Sequence, residues 1–107
     1  MNKRVVITGL GVCAPNGVGI DTFKHAIFNG VIGIRFFQEL ADLNFGCQIA
    51  GKPEISEELL AKYFTPLQLR DLTATGIHYG MIAGVDAWKD AGLSSTAADH
   101  VDYDSGV

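Results

Sequence analysis

The strongest constraint in the sequence is a helical pattern that opens at Thr65-Pro66-Leu67-Gln68 and runs to Ala91. Thr65 suits an N-cap, Pro66 the first helical position, and Gln68 can reach back to the N-cap amide, which together make a capping box. Gly92-Leu93 supplies a glycine C-terminus. At 1.5 Å per residue the predicted helix is roughly 38 Å long. One of its stripes carries Gly76, Gly80 and Gly84, continued by Trp88, and beside it run Ile77, Met81 and Val85. Glycine costs about 1 kcal/mol relative to alanine inside a helix, so three at this spacing require compensation. Close approach of another helix or strand would supply it. In a soluble chain this predicts a central, buried helix, too much of one for 107 residues to cover.

The rest of the composition agrees with that pressure toward burial. Hydrophobic residues make up 48% of the chain and charged residues 19%, with a mean hydropathy of +0.21. Such a balance excludes disorder and predicts a buried interface on one domain's worth of chain. The net charge is −4, with no basic block, which argues against nucleic acid as a partner. Behind the basic start Met1-Asn2-Lys3-Arg4, the apolar run is broken by Thr8, Gly9 and Gly11. Neither a signal peptide nor a membrane span is expected there. Cys13 and Cys47 form no Cys-x-x-Cys pair and read as free, buried thiols in a reducing compartment, hence a cytoplasmic location.

Along the chain, Val5-Val6-Ile7-Thr8, continued by Leu10 and Val12, predicts a strand buried on both faces, as in the parallel sheet of an α/β protein. Pro15 to Gly19 reads as a loop, and Asp21 as the N-cap of a helix. That helix turns Ile20, Phe23 and Ile27 to one side and ends at Gly30. Gly30 to Asn44 carries no regular pattern. Phe45, Cys47 and Ile49 alternate with polar or small residues and predict a half-exposed strand. Ser56 caps a predicted helix from Glu57 to Phe64, its two glutamates favourably placed against the dipole. After a Ser94–Ala98 turn, His100 to Val107 reads as the start of another strand, cut off in mid-element. No internal repeat or low-complexity segment is present.

Residues that could carry chemistry are few. Gly9-Leu10-Gly11-Val12-Cys13-Ala14 fits a dinucleotide-binding spacing after a strand. That mechanism needs a helix to begin at once, and Pro15-Asn16-Gly17 intervenes. The preferred reading is a glycine pair that lets the chain pass close to a neighbouring backbone. Cys13 has no histidine near it in sequence and reads as packing. His25, His78 and His100 show no metal-ligand spacing. Glu57-Glu58 and Asp102/Asp104 read as a helix start and a solvated turn. No catalytic, cofactor-binding or metal-binding residue is assigned.

Arg4-Val5-Val6-Ile7-Thr8-Gly9-Leu10-Gly11-Val12, then Ala14-Pro15-Asn16-Gly17, resembles the opening of a β-ketoacyl-acyl-carrier-protein synthase. The resemblance continues through Phe23 to Gly30, Gly33-Ile34-Arg35, the run from Tyr79 to Leu93, and Ser105-Gly106-Val107, in order over almost the whole chain. It implies the N-terminal portion, residues 1–107, of a thiolase-like fold layered α-β-α-β-α and incomplete as it stands. In that family a cysteine nucleophile, two histidines and a lysine lie beyond the position matching Val107, so none is carried over and this chain alone is not expected to turn over. The implied reaction is decarboxylative Claisen condensation of an acyl thioester with malonyl-carrier protein, in fatty-acid, polyketide or polyene synthesis.

The implied partners are the remainder of its own chain, a homodimer or heterodimer partner, acyl carrier protein, and acyl and malonyl thioesters. No cofactor, nucleic acid or membrane is implied. Where the family carries a Lys-Met-Asp-type run, this chain has Leu72-Thr73-Ala74-Thr75-Gly76. Of the basic residues that flank carrier docking, only Arg70 and nearby Lys62 are present. Both departures point to a specialised branch. The alternatives are a non-catalytic, chain-length-factor-like partner subunit of the same fold, and a free-standing nucleotide-binding module resting on Gly9 to Ala14.

Overall fold

The computed structural model describes residues 2–95, 97 and 99–106. Two short strands, β1 (Cys13–Ala14) and β2 (Gly17–Val18), pair antiparallel around Pro15 and Asn16. Helix α1 (Ile20–Phe28), strand β3 (Ile34–Phe36) and helix α2 (Gln38–Asp42) follow. Strand β4 (Ile49–Gly51) returns to β3, setting Ile34 opposite Gly51 and Phe36 opposite Ile49. Helices α3 (Glu57–Tyr63), α4 (Pro66–Asp71) and α5 (Thr75–Asp90) complete the order. The architecture is mixed helix and small sheets, each sheet a two-stranded antiparallel pair.

Local chemistry sets most of the helix ends. Ser56 Oγ accepts the Leu59 amide at 3.1 Å to open α3. Both halves of the capping box form at Thr65 and Gln68, so that α4 starts where the sequence says it should. Gly30 and Gly92 adopt φ of +64° and +72°. Beyond α1, Gly30 N–H bonds the Ile27 carbonyl and Val31 N–H the Ala26 carbonyl. Beyond α5, Gly92 and Leu93 do the same with Lys89 and Trp88. These paired bonds are Schellman motifs, which need a left-handed residue at the position glycine fills most cheaply. Asn44, at φ +56°, closes α2 in the same way onto Ala41 and Leu40.

Several expectations fail for reasons that lie outside local pattern. The predicted single helix from Pro66 to Ala91 is two helices, broken at Leu72-Thr73-Ala74, where Ala74 is extended at φ −75° and ψ 121°. The break is held by tertiary contacts. His78 Nε2 donates to the Leu72 carbonyl at 2.6 Å, and its ring meets buried Phe64 edge-on at 5.2 Å between centroids. A side chain of α5 thus satisfies a carbonyl that a continuous helix would have bonded internally. The 16 residues of α5 span only ~24 Å.

The predicted N-terminal strand is also absent. Among the described residues no strand pairs with Val5 to Val12, and Val5 and Ile7 are 94% and 84% exposed. The α1 N-cap is Gly19, with Asp21 inside the first turn, and the buried residue of α1 is Ala26, while Ile27 is exposed. The stretch left without pattern holds β3 and α2, and the strand expected from Phe45 begins only at Ile49. Residues 100–106 form no strand. Thr96 and Ala98, in the expected Ser94–Ala98 turn, and Val107 lie outside the described residues.

The buried apolar core among the described residues is Ala26, Phe64 and Ile82, the last fully enclosed on α5. Accessible surface totals 8707 Å², against about 5,800 Å² for a compact monomer of this mass. The radius of gyration is 17.5 Å, where ~13 Å is usual for a domain of this length. A large share of apolar surface is therefore unpartnered.

Candidate functional site

The N-terminal segment meets α5 through the two glycines of the Gly9–Ala14 motif. A Cβ built on Gly9 would collide with the Ala87 carbonyl and stand 2.6 Å from the Ala91 amide nitrogen. One on Gly11 would collide with the Ala83 carbonyl and stand 2.7 Å from the Ala87 nitrogen. Leu10 N–H, between them, donates to Asp90 Oδ2 at 2.9 Å. The motif is therefore spent on backbone-to-backbone packing. Its glycines are covered by α5, and the chain after Ala14 turns back as a hairpin where a dinucleotide site needs a helix start. The nucleotide-binding alternative loses its structural basis here.

Cys13, at the end of this segment, is half-buried, and Cys47 is exposed; both thiols are free. The expectation of two buried thiols holds for neither in full. Burial, and then the charge of Asp86, push the Cys13 thiol above its ordinary pKa. That is the opposite of what activates a cysteine nucleophile. Across from it, Tyr63 of α3 donates its hydroxyl to Asp86 Oδ1 of α5 at 2.8 Å, and Lys89 Nζ sits 5.6 Å from the Tyr63 ring centroid. Burial raises the Tyr63 pKa first, with the Asp86 hydrogen bond and charge adding to it. The hydrogen bond ties α3 to α5, and with burial it keeps the proton on the Tyr63 hydroxyl. Sequence reading missed it because Tyr63 and Asp86 belong to separate helical patterns.

The three histidines stay apart in role. His78 is committed to Leu72 and Phe64, and His25 and His100 are exposed on α1 and on the segment after α5. No group of three metal-ligating side chains exists among the described residues. Glu57 and Glu58 occupy the first turn of α3 as expected. Asp102 accepts the Ser105 hydroxyl and then the Asp104 amide, which lower its pKa in that order, in an exposed turn. Lys62 is exposed on α3. Arg70, exposed on α4, is held by Asp71 at 3.0 Å. No helix among the described residues is long and apolar enough to cross a membrane.

Residues 2–107 match the family described as β-ketoacyl synthase, N-terminal domain. The chain belongs to the β-ketoacyl synthase family. The chain is 30% identical over 94 residues to the 3-oxoacyl-[acyl-carrier-protein] synthase 2 of Vibrio harveyi, covering 88% of the chain and 22% of the relative. It is 28% identical over 93 residues to the synthase 1 of Buchnera aphidicola subsp. Schizaphis graminum, covering 87% and 22%. It is also 30% identical over 103 residues to the tetracenomycin polyketide synthase ketoacyl synthase beta subunit of Streptomyces glaucescens, covering 96% and 24%. The chain thus spans less than a quarter of the length of these relatives. Membership in the family implies a thiolase-like fold.

Proposed function

We propose that these residues form the N-terminal segment of a 3-oxoacyl-acyl-carrier-protein synthase that performs decarboxylative Claisen condensation. The observation that carries this reading is the match over residues 2–107, joined to a span of 22% of a 3-oxoacyl-acyl-carrier-protein synthase. In the reaction, a cysteine thiolate beyond the position of Val107 takes the acyl group from a carrier thioester and releases the carrier thiol. Malonyl thioester loses carbon dioxide, and the resulting carbanion attacks the acyl-enzyme carbonyl, expelling the cysteine thiolate and forming the 3-oxoacyl thioester on the carrier. The residues present supply scaffold. Cys13, with its thiol held protonated, takes no part in acyl transfer.

The unpartnered apolar surface is the face that the remainder of the chain and a second subunit, identical or not, would cover within a layered α-β-α-β-α fold in the cytoplasm. Intact mass of the untagged protein from its native coding region tests the reading. A mass several times 11.4 kDa, with a downstream cysteine that takes up acyl label, is expected. A mass of 11.4 kDa overturns it.

The alternative reading is a non-catalytic, chain-length-factor-like partner subunit of the same fold, without the nucleophile. A full-length protein that takes up no acyl label but co-purifies with a labelled ketosynthase would establish that reading over the first. Carrier protein is the proposed macromolecular substrate in the first reading. Replacing both Lys62 and Arg70 with Glu is expected to weaken carrier binding at low salt by a few-fold only, because Asp71 already engages Arg70. Unchanged affinity would place carrier docking elsewhere.

A further inference from the structure

We draw no further inference here: the strongest candidate, the open cleft of about 750 Å³ between the β3–β4 hairpin and the first turn of α5, bordered by Arg35, Lys52 and His78, carries nothing because no buried unpaired polar side chain among the described residues points into it and nothing in the structure shows what covers it in a chain that spans less than a quarter of its relatives' length.

Discussion

On one face of α5, Ala83 and Ala87 lie directly against Gly9 and Gly11; on another, Gly76, Gly80 and Gly84 have open space where a Cβ would go. Both faces are built of small residues, yet only the first makes a close contact among the described residues. The contrast shows an economical way to bring a segment onto a helix. The glycines sit on the partner, where they cost the helix nothing, and the helix contributes alanine, its most favourable residue. The second face places glycine in the helix itself and bears about 1 kcal/mol per position with no visible return. That cost makes sense only where something packs against it, consistent with the surface excess of the isolated chain.

The largest effect is expected at Gly11. Gly11→Ala drives a methyl into the Ala83 carbonyl and should lower stability by about 1–3 kcal/mol, as overpacking does. Gly80→Ala should raise the stability of the 107-residue chain by up to about 1 kcal/mol. Urea denaturation of the two variants measures both. If Gly80→Ala instead destabilises this chain, the contrast between the faces is wrong. In a longer protein, a loss at Gly80 would show that the stripe is covered there.

Tyr63→Phe removes the hydrogen bond to Asp86 and should cost about 1 kcal/mol near neutral pH. Because the folded-state pKa of Tyr63 is raised, the contribution is complete below the ordinary tyrosine pKa of about 10. It is lost as pH rises through the raised folded value. Wild type and variant stabilities should therefore converge in strong alkali; a constant gap would show that the hydroxyl acts by packing alone.

Asp90→Asn weakens the bond that fixes Leu10 on α5 and should cost less, up to about 1 kcal/mol. Faster amide exchange confined to Leu10 and its neighbours would locate the effect; unchanged exchange would show that the glycine contacts alone hold the segment. The smallest test is chemical. At pH 8, Cys47 should be alkylated before Cys13, since Cys13 is half-buried and its thiol is held protonated. Peptide mass spectrometry reads the order, and equal rates would remove the argument that Cys13 is inert.

Much of the local architecture was legible in advance. Ser56, Thr65, Gln68, Gly30 and Gly92 act within a turn of where they stand, so their caps follow from residue type and spacing. The spacing of Gly9 and Gly11 likewise implies a close backbone approach, and the pair makes one. The helix to which it docks is not legible there, because nothing near Gly9 in sequence refers to Ala87. Family membership was also legible, through ordered motifs from Arg4 to Val107 that need no coordinates.

The remainder depended on contacts between distant residues. Helical spacing runs without interruption through Leu72-Thr73-Ala74, and the chain breaks there because His78 and Phe64 stabilise the break from outside. Val5 to Ile7 has the composition of a strand, but a strand exists only when another edge pairs its amides and carbonyls. Residue type settles propensity and caps, whose energies are local. Pairing, helix breaks and the protonation of Cys13 and Tyr63 are properties of neighbours, and only the folded arrangement supplies those.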